Sequence, residues 1–200
     1  MIRTLVTRTQ PQRKDRLARN NGLGEALPCV KWKPFQDERP GVGGLGYWYR
    51  HQFPDAGIAL ILGPVSGLLV VDVDGTDAHD VLVARLGRLP EAPTALSGSQ
   101  KPYRYHLYFR HPNVSTQASY HPWHPQFEFR GYRGIVVAPP SLHKSGNRYR
   151  WAEGKTLNDL PLPKVPDAIL AALTTKARTR AITNPGTSVL GQLTPRVSRQ

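Results

Sequence analysis

Two apolar runs constrain this chain more than any other feature: GIALILG at 57–63 and GLLVVDVD at 67–74. Neither alternates apolar with polar residues, so each reads as a strand covered on both faces, and the GPVSG stretch shared by their ends reads as the turn between them. The second run ends in Asp72 and Asp74, one residue apart. On an extended chain such residues point to one face, with Cα atoms about 6–7 Å apart. Two carboxylates so placed repel unless a cation lies between them, and Mg²⁺ or Mn²⁺ is the natural partner, with oxygen ligands and room for phosphates. An Asp-Gly turn closing the strand accounts for Asp74 and Gly75 without a metal.

The rest of the chain has a mixed pattern. TDAHDVLVARLGRL (76–89) carries a partial helical stripe broken at Gly87. TALSG (94–98) and NRYRW (147–151) read as short strands. RYHLYFR (104–110) alternates: Tyr105, Leu107 and Phe109 take one face, while Arg104, His106, Tyr108 and Arg110 take another that fronts solvent or a cleft. QFEFR (126–130) and GIVVA (134–138) read as a hairpin about GYR, and PDAILAALTTKA (166–177) as a short amphipathic helix. PCVKWKPF (28–35) suggests a strand and a turn, and SYHPWHP (119–125) a Pro-broken loop. Residues 37–54 contain G-x-G-x-x-G at Gly41, Gly43 and Gly46. The polar QDERP before it is no strand, so a flexible loop is expected there and not a dinucleotide site. Strands, one helix, more strands and a closing helix predict an α+β fold with mostly antiparallel pairing. The expected organisation is a basic, irregular or weakly helical segment at 1–25, a folded domain at 26–175, and a basic disordered tail or linker at 176–200.

The net charge of +13 is unevenly placed. Residues 1–20 hold six basic side chains and one acid, and residues 176–200 hold five and none. Residues 101–150 hold eight Lys or Arg against Glu128 alone, with aromatic residues interleaved. That block suits a polyanion such as nucleic acid or nucleotide phosphate, although a solvated basic face has the same composition. Cys29 is the single cysteine, which excludes an intramolecular disulfide and a zinc ribbon. No apolar run reaches membrane-spanning length and the N-terminus lacks an apolar core, so a cytoplasmic protein without a membrane partner is expected.

Within the basic block two residues stand out. Glu128 lies between Phe127 and Phe129 and faces the same way as Arg130; a structural ion pair is the simpler account of it. His106 shares its strand face with Arg104 and Tyr108, which suits contact with phosphate as well as it suits a packed core histidine.

The series SGLLVVDVDG, LSGS, YHLYF and FEFRGYRGIVVAPPSLHKSGNRYRW resembles the bifunctional DNA primase/polymerase (prim-pol) domain of the archaeo-eukaryotic primase superfamily, found at the head of plasmid and phage helicase–primase replication proteins. The resemblance runs from about Trp32 to Trp151. It implies an RRM-like catalytic sheet, a smaller N-terminal α/β unit and a cleft between them. It places the acids that hold two divalent ions, Mg²⁺ or Mn²⁺, at Asp72, Asp74 and Glu128, and the phosphate-contacting histidine at His106. This chain departs from the pattern in four ways: Glu stands at the third acid where Asp is frequent, QKPYRY replaces a short Gly-Gly stretch, the apolar N-terminal helix is not visible in residues 1–25, and no zinc stem is present.

The implied chemistry is template-directed nucleotidyl transfer on single-stranded DNA, with dNTPs or NTPs as substrates and a replicative helicase as partner. His106 and Arg130 would then meet the nucleotide phosphates, with Lys101, Arg104, Ser141, His143 and Lys144 as helpers, and Tyr103, Tyr105 and Tyr108 as base-stacking candidates. Two other readings use the same residues. LLVVDVDGT matches the nucleophile motif of haloacid-dehalogenase-type phosphatases, with Asp72 attacking phosphate and Asp74 as acid/base. A non-catalytic DNA-binding module needs only the basic surface.

Overall fold

The computed structural model describes residues 4–8 and 27–174. In chain order the strands are β1 (Thr4–Arg8), β2 (Leu27–Pro28), β3 (Gly57–Ile61), β4 (Leu68–Asp74), β5 (Thr94–Leu96), β6 (Arg104–Arg110), β7 (Phe127–Arg130), β8 (Ile135–Ala138) and β9 (Arg150–Trp151). The helices are α1 (Val42–Tyr47), α2 (Thr76–Leu86) and α3 (167–174).

Five strands form one antiparallel sheet in the order β7-β4-β6-β5-β9. Strands β4 and β5 run parallel to each other, joined by α2, with antiparallel β6 between them; this is a split β-α-β unit. Adding β7 beside β4 completes the RRM-like arrangement expected from the sequence. A dehalogenase-type phosphatase needs a parallel, doubly wound sheet. Here β4 is antiparallel to both neighbours, so that alternative loses its premise.

The two long apolar runs do not pair as one ladder. β3 lies in a second antiparallel sheet, β2-β1-β3-β8, and only the Gly63–Leu68 bridge links the ends of the runs across the turn. The hairpin expected at 126–138 is corrected in the same way, because β7 pairs with β4 while β8 crosses to pair with β3. The crossing is tight. A Cβ on Gly131 would lie 2.5 Å from Thr116 Oγ1 and 3.0 Å from the Gln117 carbonyl oxygen, so the RG step admits no side chain at that residue.

The layers explain the unbroken hydrophobicity of the runs. Leu69, Val71 and Val73 of β4 pack with Leu107, Phe109, Phe127 and Phe129 against Leu82 of α2 and Ile169 and Leu173 of α3. Leu68 and Val70, on the opposite face of β4, meet Leu60 and Leu62 of the β3 run, Tyr108 of β6 and Val136 of β8. Beyond that, Ala59 and Ile61 are covered by Val30, Trp32, Phe35 and Trp48. Residues 42–52, expected as a flexible loop, form α1 and a π-helical turn, because that outer apolar face of β3 needs a lid. Residues 4–8, expected to be irregular or weakly helical, form β1 against β3. The expected tail at 176–200 lies outside the described residues. Among the described residues no helix is long and apolar enough to cross a membrane.

Candidate active site

Strand alternation carries the inter-sheet face of β4 from Leu68 through Val70 to Asp72 and Asp74. The first two are fully buried, whereas the side chain of Asp72 is 19% exposed and that of Asp74 is 50% exposed. The second sheet therefore ceases to cover β4 where the sequence turns acidic, and the carboxylates stand at the mouth of that opening.

Register assembles the rest. Asp72 lies directly opposite His106 on β6 and directly opposite Glu128 on β7. The three make one row across three strands, each cross-strand step about 4.5–5.5 Å between Cα atoms. His106 Nε2 is 3.5 Å from Asp72 Oδ1. Arg130, two residues along β7 and on the same face as Glu128, donates from Nε to Asp72 Oδ2 at 3.0 Å and lies with Nη2 2.7 Å from Glu128 Oε2. Arg104 pairs with Asp74, its cross-strand neighbour. His121 Nε2 approaches Glu128 Oε1 at 4.0 Å.

Burial holds His106 below the usual histidine range, against the pull of Asp72. The imidazole is therefore uncharged near neutrality, and its Nδ1 is buried without a hydrogen-bond partner. Tyr149 stacks on it, with ring centroids 5.9 Å apart. The Tyr149 hydroxyl is bonded to Ser97, and burial raises its pKa. His143 meets the other side of Tyr149 edge-on, and its own pKa is lowered first by burial and then by Lys144 and Arg104. The arm that carries these rings, 142–149, presses closely onto Gly98, just beyond β5. A Cβ on Gly98 would lie 2.5 Å from His143 Cβ and 2.9 Å from the Asn147 carbonyl oxygen.

Not every candidate residue gathers here. Ser141 is buried, and its hydroxyl accepts from Ile58 N and donates to Ile58 O; it pins β3 and has no capacity left for phosphate. Tyr105 and Tyr108 are buried packing residues and not base platforms; Tyr105 OH is bonded to His79. Tyr103 is exposed and stacks on His79. Lys101 and Lys144 are exposed on turns. Tyr149, Ser97 and His121 were not anticipated. Tyr149 directly precedes β9, and the ring it covers is one that only the fold reveals, while His121 sits in a loop without periodicity.

Three carboxylates on one face supply oxygen donors of the kind that hard divalent ions take, so the donor set fits Mg²⁺ or Mn²⁺. As the side chains stand, no group of three or more His, Cys, Asp or Glu among the described residues is gathered tightly enough to hold an ion; guanidinium groups are paired with each carboxylate instead.

A family model described as bifunctional DNA primase/polymerase, N-terminal, matches residues 9–168. No curated protein matches the chain.

Proposed function

The chain belongs to the bifunctional DNA primase/polymerase family, and from that premise we propose that it joins nucleotides on a single-stranded DNA template by a two-metal mechanism, within a phage or plasmid replication system. The observation that carries this reading is the in-register row of Glu128, Asp72 and His106 at the mouth of the inter-sheet opening.

In the reaction the oxygen of a primer 3′-hydroxyl attacks the α-phosphorus of a nucleoside triphosphate. The bond to the pyrophosphate oxygen breaks, and the hydroxyl proton passes to solvent. Asp72, Asp74 and Glu128 would hold the divalent ions, which when bound acidify the hydroxyl and offset the charge of the leaving pyrophosphate. Arg130 offers a planar fork suited to two phosphate oxygens. His106, neutral and fixed under Tyr149, offers a hydrogen bond without adding charge. Arg104, paired with Asp74, and His143, packed on Tyr149, are further anion contacts, Lys101 and Lys144 offer charge from exposed turns, and Ser141 serves the fold. Single-stranded DNA, dNTPs or NTPs, and a replicative helicase domain or protein are the partners this reading proposes.

Unprimed synthesis and primer extension on single-stranded DNA, with Mg²⁺ or Mn²⁺ and each nucleotide type, test the proposal. Asp72→Asn and Glu128→Gln should each lower incorporation by about 100-fold or more, while affinity for single-stranded DNA changes little. Undiminished incorporation by the folded variants refutes the assignment. DNA binding by the wild type with no incorporation under any of these conditions favours a non-catalytic module.

A further inference from the structure

Each carboxylate of the site is already ion-paired with an arginine, two guanidinium groups serving three acids. Arg130 reaches Asp72 with Nε and Glu128 with Nη2, and its Nη1 donates to the Ile135 carbonyl oxygen at 3.4 Å on the second sheet. One guanidinium thus bridges two acids on adjacent strands and ties them across the opening to β8. Arg104 pairs with Asp74 alone. Two partly buried carboxylates on facing cross-strand residues require a positive partner to coexist ionised, and the planar fork of Arg130 meets both where a lysine would meet one. A divalent ion shared by Asp72 and Glu128 would draw on the same two carboxylates that the fork now engages, and it would repel a guanidinium left beside it.

Resting on the two-metal reading above, we infer that Arg130 is the resident counter-ion of the Asp72–Glu128 pair, and that divalent ions load by exchange with its guanidinium, which is thereby released to meet the anionic nucleotide. Exchange makes ion binding weak in the absence of nucleotide, because each ion must replace existing ion pairs. Nucleotide phosphates give the released guanidinium a new partner, so ion and nucleotide bind cooperatively, and the coupling is reciprocal. Arg130 is in this sense a gate on metal loading as well as a phosphate contact.

Mn²⁺ binding to the full chain, read from the free-ion electron paramagnetic resonance signal without nucleotide, tests the exchange. Arg130→Gln should bind Mn²⁺ about tenfold or more tighter than wild type, with Arg130→Lys in between. Thermal stabilisation by saturating Mn²⁺ should be larger in Arg130→Gln than in wild type. Equal or weaker Mn²⁺ binding by Arg130→Gln overturns the inference alone. Absence of Mn²⁺ binding by all three proteins overturns it together with the two-metal reading. Should Arg130→Gln fail to fold, the wild type decides. Its Arg130 Nε–H resonance, assigned with Arg130→Lys, should be protected from solvent exchange without Mg²⁺ and lose that protection at saturating Mg²⁺; retained protection overturns the exchange.

Discussion

Asp72 is a charged residue on a strand face that it shares with Leu68, Val70 and Asp74, and two polar groups that meet it hold it there. Arg130 provides a charge-assisted bond and His106 a neutral ring, and the acid directly opposite, Glu128, is held by the same arginine. His111 illustrates the same economy away from the site. It is buried, with Nε2 2.9 Å from Thr116 Oγ1, and burial lowers its pKa from 6.5. The unfolded chain therefore takes up a proton at this residue before the folded one does. The stability that neutral His111 contributes is complete above about pH 6.5 and is lost as the pH falls through its lowered folded value. Denaturant unfolding measured from pH 7.5 to 5 should show stability falling on acidification, and His111→Gln should reduce that slope by up to about one proton. An unchanged slope would place the titration elsewhere.

At the scale of elements, the site depends on two close approaches of backbone. Gly131 lets β7 leave its sheet toward β8 past Thr116, and Gly98, just beyond β5, lets the 142–149 arm pack on the β5–β6 connection so that Tyr149 covers His106. Gly131→Ala should cost about 1–3 kcal/mol through overpacking against Thr116, seen as a lower denaturation midpoint. Gly98→Ala should lift the arm and leave the five-stranded sheet in place. Limited proteolysis should then cut within 142–149 faster than in wild type, while far-ultraviolet circular dichroism stays the same. Equal cleavage rates would show that the arm is held by other contacts. The strands themselves were largely legible: β4, β5, β6 and α2 fall where alternation, apolar runs and the break at Gly87 put them. What sequence patterns missed was pairing. A short loop between two strands suggests a hairpin, yet both GPVSG and GYR join strands of different sheets, because each strand gains more by completing a separate buried layer than by pairing locally.

For the whole molecule, two stacked sheets with helices outside them leave a polar opening among the described residues, and the full chain carries a net charge of +13. Five basic residues and no acid lie in 176–200. If they contact the DNA backbone, each releases counter-ions, so removing residues 176–200 should lessen the log–log salt dependence of single-stranded DNA affinity by about 3. Incorporation at saturating template should change little. A slope that stays the same would assign the salt dependence to the basic block at 101–150.

The local features of this protein follow from its sequence alone: two strands too apolar to be half exposed, a pair of acids on one face, an alternating strand bearing His106, and a lone glutamate in a basic block. These depend on neighbours along the chain, where a period of two or 3.6 decides which way a side chain points. Tertiary structure alone decided that Glu128, 56 residues beyond Asp72 in the chain, stands directly opposite it, that Arg130 joins the two, and that Tyr149 closes over His106. Register between strands distant in sequence is set by how whole layers bury their faces, and no local pattern encodes that choice.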